Sequence, residues 1–354
     1  MTYDALLIVS FGGPEGPEDV IPFLENVLRG KNVSRQRMLQ VAEHYYHFGG
    51  KSPINDQNRA LIAALEREFE AHGSSLPIYW GNRNWHPMLA DTLRQMRADG
   101  VRRALAFVTS AFGSYSGCRQ YREDIERARI EIGPGAPDIH KLRTFHNHPG
   151  FIAAAAYRVS AALERIPPAR RDSAPLAFTA HSIPLAMAEA SPYVEQLRES
   201  CQLVCRMLGR PAGALAYQSR SGPPSQPWLE PDICKYIRQL HSSGGLTDIV
   251  VMPIGFLSDH MEVIYDLDTE TAAVCRELGV NLVRAPTVGL HPAFVSMIRE
   301  LILERISGQQ RRALGTSGPG CDSCEPECCL VTGSHGRLMR TAGVSARNMT
   351  SPLV

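Results

Sequence analysis

The sequence lacks the features that would assign it to several common classes of protein. Its 37 Lys and Arg residues nearly balance 36 Asp and Glu, so the formal net charge of +1 provides no field that would attract nucleic acid. No basic stretch precedes the apolar run at residues 5–9, which is too short for a secretory signal or a membrane span. These absences predict a cytoplasmic protein with no transmembrane segment and no nucleic-acid partner.

Common nucleotide-binding and nucleophile motifs are also absent. The chain has no G-x-G-x-x-G, no Walker A sequence and no G-x-S-x-G. The glycine pair Gly12-Gly13 is followed by Pro14 and Glu15, which place a rigid turn and a negative charge where a pyrophosphate needs backbone amides. A nucleotide-dependent enzyme is therefore disfavoured.

Short runs typical of β-strands alternate with longer amphipathic stretches along the first 306 residues. This alternation predicts right-handed βαβ units and parallel sheets. The predicted strands are Ala5–Ser10, Leu76–Gly81, Ala104–Ser110, Ile139–Arg143, Leu176–Ala180, Ala214–Gln218, Asp248–Pro253 and Asn281–Arg284. The predicted helices are Pro53–His72, His86–Asp99, Tyr115–Glu131, Pro149–Glu164, Tyr193–Leu208, Glu230–His241, Met261–Leu278 and Pro292–Ile306.

The two halves of the chain are similar to each other. Residues 6–14 (LLIVSFGGP) pair with 176–184 (LAFTAHSIP), and later segments repeat in the same order. We therefore predict an α/β fold of two Rossmann-like domains related by duplication, residues 1–150 and 151–308. An irregular, partly disordered tail with cysteines, residues 309–354, would follow. In open α/β sheets, ligands bind beyond the carboxyl ends of the strands.

One histidine and three acidic residues form a candidate metal or proton site. His181 ends a predicted strand, and Glu262, Asp266 and Glu270 follow another strand at a spacing of four. On an α-helix these carboxylates share one face, where like charges repel unless a cation or protons offset them. Acidic residues at this spacing more often mark a solvated helix face, and a histidine after a strand is more often a cap or a core group.

The cysteines are clustered. Four of the nine lie within residues 321–329, and an odd total does not resemble a disulfide framework. This pattern indicates a metal or iron–sulfur site in a reducing compartment.

Six segments in register resemble ferrochelatases, the enzymes that insert Fe²⁺ into a porphyrin in haem synthesis. The segments span residues 10–14, 48–54, 81–85, 179–184, 218–223 and 259–268. The resemblance implies a metal-inserting lyase whose substrates are ferrous iron and a porphyrin, in transient contact with other enzymes of the pathway. The bacterial branch that it most resembles often uses coproporphyrin III, which is therefore favoured over protoporphyrin IX, although the sequence does not decide between them.

The same resemblance implies roles for individual residues. His181 and Glu262 match the catalytic pair, and Asp266 and Glu270 match the acidic line thought to conduct metal or protons. All four are therefore predicted to contact the metal. The predicted porphyrin-binding residues are Arg29, His44, Tyr45, Ser52 and Tyr121. Some relatives carry a tyrosine ligand for the product's iron at position 11, and Phe11 excludes it here.

The tail resembles the cluster-binding end of some ferrochelatases. Cys321, Cys324 and Cys329 have the Cys-x2-Cys-x4-Cys spacing of three [2Fe–2S] ligands, and Cys118 is the favoured fourth ligand. Cys328 is an alternative to Cys329. The upstream ligand could also be any of Cys201, Cys205, Cys234 and Cys275, and a structural Zn²⁺ with four thiolates is the competing interpretation.

Two further classes of function compete with iron insertion. One is a chelatase for another tetrapyrrole or metal, and Glu262 argues against it because such relatives tend to use paired histidines. The other is a non-enzymatic bilobal protein that binds a tetrapyrrole or a metal. Quenching of porphyrin fluorescence on addition of Fe²⁺ would separate insertion from simple binding.

Overall fold

The structure is a computed structural model that describes residues 2–31, 33–223 and 225–330. The predicted tail beyond residue 330 lies outside these residues. The eight strands are β1 Ala5–Ser10, β2 Ile78–Asn82, β3 Arg103–Val108, β4 Asp138–Lys141, β5 Leu176–His181, β6 Ala214–Gln218, β7 Asp248–Met252 and β8 Asn281–Arg284.

Helices connect the strands and flank them. They are α1 Val20–Leu28, α2 Arg35–His47, α3 Ile54–Ala71, α4 Leu89–Ala98, α5 Gln120–Ile132, α6 Pro149–Leu163, α7 Pro168–Arg171, α8 Leu185–Glu189, α9 Tyr193–Met207, α10 Ile233–Ser242, α11 Met261–Val263, α12 Ala272–Glu277 and α13 Pro292–Ser307. Two π-helical segments, Tyr115–Arg119 and Ile264–Thr271, precede α5 and α12, and a short 3₁₀ turn spans Pro17–Asp19.

The strands form two four-stranded parallel sheets with the same topology. The order is β2-β1-β3-β4 in the first sheet and β6-β5-β7-β8 in the second. Each strand of the first half thus has a counterpart at the same place in the second. The predicted α/β fold with two duplicated parallel sheets is confirmed, whereas the boundaries at residues 150 and 308 stay a prediction.

Both faces of each central strand are covered, which explains the continuous apolar runs. Every residue of β1 is buried. Leu7 and Val9 pack towards α4 and α5, whereas Leu6 and Ile8 belong to a core that contains residues of α3, α6, α9 and α13. This core also includes Phe178 of β5 and Val250 of β7, so one hydrophobic cluster joins the two sheets. Burial on both faces is typical of parallel sheets.

Two helices of the first half were missed in the sequence. Pro22 lies in the first turn of α1, where a proline is tolerated, but it weakened the helical pattern. The largely polar α2 offers little apolar periodicity, although Ser34 is a recognisable cap whose side chain accepts a hydrogen bond from the Arg37 amide. The predicted helix from Met261 to Leu278 is also corrected, because its centre is π-helical.

Within the described residues, no helix combines the length and apolar character that crossing a bilayer requires.

Candidate active site

His181 lies at the carboxyl end of β5 with one ring nitrogen already engaged. Its Nδ1 is 2.5 Å from the carbonyl oxygen of Ser182, which can only accept, so Nδ1 carries the proton. The neutral ring therefore has an unprotonated Nε2. The hydroxyl of Tyr193 donates to the His181 carbonyl at 3.1 Å and holds the strand end in place.

Glu262 faces His181 from the segment that follows β7. Glu262 Oε2 is 3.8 Å from His181 Nε2, and the two side chains are 46% and 31% exposed. His260 begins α11 as its N-cap, because its Nδ1 accepts a hydrogen bond from the Glu262 amide at 3.2 Å. A base and a carboxylate thus meet at the strand ends, accessible to solvent.

The remaining acids of the line lie on the π-helical segment and are harder to ionise. Burial raises the pKa of Asp266 to about 7, and repulsion by Glu262 and Glu270 adds to this effect. Hydrogen bonds from Ser219 and Gln218 act in the opposite direction and lower the pKa. Burial also raises the pKa of Glu270. Residues in π-helical turns are frequent at functional sites, and raised carboxyl pKa values are typical of groups that exchange protons near neutrality.

Contacts between the two halves of the chain flank the site of His181 and Glu262, which we name the cleft. The ring of His44 on α2 stacks on Tyr265 with centroids 3.7 Å apart. Met261 belongs to the hydrophobic cluster of α1 and α2. Gln57 and the backbone of Asp259 exchange two hydrogen bonds of 2.9 and 3.2 Å. Since these partners come from opposite halves, Glu262 is held against the first half of the chain.

The other predicted porphyrin-binding residues lie in different surroundings. Tyr45, Ser52 and Tyr121 are buried, and the Arg83 guanidinium lies 4.5 Å above the Tyr121 ring. Arg29 is exposed and donates to Asn26 at 2.5 Å. Of the five, His44 is the one in ring contact with the π-helical segment. Their roles towards a porphyrin stay predictions.

Some residues near the site had been given no specific role from the sequence. Gln218 and Ser219 at the end of β6 contact Asp266, and His260 caps the turn of Glu262. The charges of Glu262 and Arg83 both act on the Lys31 ammonium, whose pKa is lowered mainly by burial. The sequence feature that pointed to Gln218 and Ser219 was their position at a strand end. For Lys31 it was the positive charge alone.

The cysteine segment meets Cys118. The thiols of Cys118 and Cys324 act on each other, and this interaction lowers the pKa of Cys118 and raises that of Cys324. The sulfurs of Cys328 and Cys329 are 3.5 Å apart, and Cys321 is exposed but close enough to act on Cys324. Five thiols therefore gather at the π-helical segment before α5.

Side chains of both halves hold the segment 309–330, which we name the strap. Arg119 donates to the carbonyl oxygens of Pro326 and Cys328 at 2.7 and 2.8 Å. Glu199 on α9 accepts from the amides of Thr316 and Ser317 at 3.0 and 3.1 Å. The strap has no helix or strand, so contacts such as these hold it against the rest of the chain.

The donor chemistry of the strap suits an iron–sulfur group, with Cys118 next to Cys324 and Cys328 next to Cys329. Across residues 2–31, 33–223 and 225–330, no three His, Cys, Asp or Glu side chains form a group that could hold a single metal ion. Lys141 and Arg122 act on Cys118 and stabilise its thiolate form. Thiolates are the ligands of such clusters, and two thiolates per iron is the [2Fe–2S] arrangement.

Among solved structures, the fold resembles that of chelatases. SirB from Bacillus subtilis with Fe³⁺ has a TM-score of 0.53 at 14% identity, over 87% of this chain and 98% of that one. The chain is thus a two-lobed α/β protein with a chelatase-like fold.

Sequence comparison identifies the family. The ferrochelatase family model matches residues 3–306. A ferrochelatase of Rhodopirellula baltica is 59% identical over 93% of this chain and 94% of its own length. A coproporphyrin III ferrochelatase of Nocardia farcinica is 51% identical over 93% of this chain and 97% of its own length. The chain belongs to the ferrochelatase family.

Proposed function

We propose that this ferrochelatase inserts Fe²⁺ into coproporphyrin III as a step of haem synthesis. The observation that carries the proposal is the His181 Nε2 that faces Glu262 at 3.8 Å, beyond the carboxyl ends of the second sheet. The substrate rests on relatives with that name, including those of Nocardia farcinica and Streptomyces coelicolor at 51% and 48% identity.

Metal insertion requires the loss of two pyrrole protons, and His181 is suited to accept them. Because its Nδ1 donates to the Ser182 carbonyl, the free Nε2 is the basic atom and points towards Glu262. A neutral imidazole accepts a proton near pH 7. Glu262 then stabilises the imidazolium or takes the proton onward.

The acidic line gives iron and protons a path between the cleft and solvent. Oxygen ligands suit a hard divalent cation and release it readily. Asp266, with a pKa of about 7, exchanges a proton with little driving force in either direction. Glu270 continues the line one turn further along the chain.

Cations near the cleft favour a porphyrin with many carboxylates. Coproporphyrin III carries four propionates and protoporphyrin IX two. Lys31 lies near Glu262 and Arg83, and Arg29 is exposed on the adjoining loop. Charge-assisted hydrogen bonds from such groups to a carboxylate are among the stronger polar contacts.

The test is the anaerobic rate of Fe²⁺ insertion into each porphyrin, measured side by side. We expect kcat/KM to be at least about tenfold higher with coproporphyrin III, the ratio expected from one additional well-made charged contact. Equal or reversed values would contradict the substrate, and failure with both porphyrins would contradict iron insertion. In that case Co²⁺ insertion into sirohydrochlorin would test the alternative chelatase.

We propose that Cys118, Cys321, Cys324 and Cys329 hold a [2Fe–2S] cluster. The interaction of the Cys118 thiol with that of Cys324 supports Cys118 over the four other cysteines considered as the upstream ligand. Cys328 remains the alternative to Cys329 as the third ligand from the strap. When bound, the cluster would supply one-electron chemistry and would convert binding energy into order of the strap.

Visible absorption of the purified protein tests the cluster. Protein expressed with ample iron and purified anaerobically should be reddish-brown and should bleach on reduction. A colourless protein with one zinc per chain would refute the cluster and leave the proposed iron insertion untouched. A location in the cytoplasm and transient contacts with other enzymes of haem synthesis stay predictions.

A further inference from the structure

Ser219 has a backbone conformation that residues with a side chain seldom adopt. Its φ is +60°, and within the described ranges the only other non-glycine residue with positive φ is Cys329. The left-handed region costs free energy in any L-residue with a Cβ. Such strain persists only where the surrounding structure imposes it, and it is concentrated at functional sites.

The strained conformation directs the Ser219 hydroxyl at the acidic line. The hydroxyl donates to Oδ2 of Asp266, and the Gln218 amide donates to the same oxygen at 3.2 Å. The Gln218 amide also lies 3.4 Å from the Glu262 carbonyl oxygen. The end of β6 thus contacts both the turn that carries Glu262 and the turn that carries Asp266.

The residues behind Ser219 are buried or hydrogen-bonded to the segment that carries Asp266. Gln218 is 1% exposed, and its Oε1 is buried without a hydrogen-bond partner among the described residues. Thr271 donates to the Asp266 carbonyl oxygen at 2.7 Å and fixes the backbone that carries the carboxylate. Both donors at the end of β6 bind Oδ2 of Asp266, so the other oxygen, Oδ1, takes part in neither of these hydrogen bonds.

We infer that Ser219 is a positioning residue that orients the Asp266 carboxylate so that Oδ1 can bind Fe²⁺ on its way to the porphyrin. The inference rests on the proposed function, because it assigns Ser219 to the metal path of that reaction. The left-handed conformation is the means by which the hydroxyl reaches Asp266, and this use explains why a glycine does not occupy the position.

Two substitutions separate the hydroxyl from the conformation. Ser219→Gly accepts positive φ without strain and removes the donor. Ser219→Asn also tolerates the left-handed region and offers a side-chain amide as a donor. The matched control is Ser221→Gly, an exposed position in the same loop.

The decisive measurements are KM for Fe²⁺, porphyrin affinity by fluorescence without metal, and anaerobic calorimetric titration with Fe²⁺ alone. We expect Ser219→Gly to raise KM and Kd for Fe²⁺ about tenfold, the effect of one lost hydrogen bond to a charged group, with porphyrin affinity unchanged. Ser219→Asn should restore most of the loss, and Ser221→Gly should match the wild type.

A Ser219→Gly protein with wild-type Fe²⁺ affinity would overturn the inference. So would equal losses of Fe²⁺ and porphyrin affinity, since these indicate a purely structural role. If the wild type inserts no iron into either porphyrin, the proposed reaction fails while the Fe²⁺ titration still decides the role of Ser219. A wild type that binds no Fe²⁺ would contradict both.

Discussion

The cleft and the strap bring together chemically reactive side chains by different means. In the cleft, His181 is the last residue of β5, and Glu262 lies in α11, which follows β7. Helices and strands therefore position both side chains. The strap has no regular structure and is fixed by side chains such as Arg119 and Glu199 that bind its backbone. Substitutions in the cleft should therefore alter chemistry more than shape, whereas substitutions in the strap should alter its order.

The largest effect is expected in the strap. Cys324→Ser should abolish the visible absorption and increase hydrogen exchange of residues 309–330, because it removes the thiol that contacts Cys118. Cys201→Ala, in the buried core on α9, is the control and should keep the colour. Cys328→Ser and Cys329→Ser, measured separately, should show which of the two is a ligand. Retained colour in Cys324→Ser would remove it from the ligand set.

In the cleft, the largest loss is expected for the proton acceptor. His181→Ala should lower kcat by about 100-fold or more, the usual contribution of a general base, while porphyrin affinity stays within about twofold. Anaerobic turnover measures kcat, and fluorescence titration measures the porphyrin affinity. His72→Ala, an exposed histidine after α3, should behave as the wild type. Near-normal turnover in a folded His181→Ala protein would contradict the assignment.

The acids should differ according to their distance from His181. Glu262→Gln should reduce kcat about tenfold more than Glu270→Gln, because Glu262 faces the imidazole and Glu270 lies about two turns further along. Steady-state rates of the two variants decide this prediction. Equal losses, or none, would mean that the acidic line is a solvated face.

The smallest effect is on stability. The folded state holds the Asp266 proton more tightly than the unfolded chain, since burial raises the pKa from 3.8 to about 7. Stability is therefore lost as the pH rises from about 4 to 7, and the full penalty applies above 7. Asp266→Asn should raise Tm at pH 8 by a few degrees, roughly 1–2 °C per kcal/mol for a chain of this length, with the gain fading towards pH 5.

The control for this measurement is Asp172→Asn, whose fully exposed carboxylate should leave Tm unchanged at both pH values. A Tm gain of Asp266→Asn that is the same at pH 5 and pH 8 would contradict a raised pKa. Thermal melting at the two pH values therefore compares an acid of the cleft with an ordinary surface acid.

The sequence by itself determined the fold and much of the cleft. All eight strands were predicted, three of them with the observed ends, because buried parallel strands are continuous apolar runs bounded by turns. The duplicated order of the segments predicted the repeated sheet topology. The approach of His181 to Glu262 was predictable because residues at strand ends share one edge of a sheet, whereas the roles of the two residues stay predictions.

Only the tertiary structure decided the interactions between distant segments. The contact of Ser219 with Asp266, the stacking of His44 on Tyr265 and the pKa of Asp266 all depend on elements far apart in the chain. Burial and electrostatic fields sum over such neighbours, so spacing along one helix cannot report them. The same reason applies to Cys118, whose partner Cys324 is brought to it by Arg119, Glu199 and the folded surface on which the strap lies.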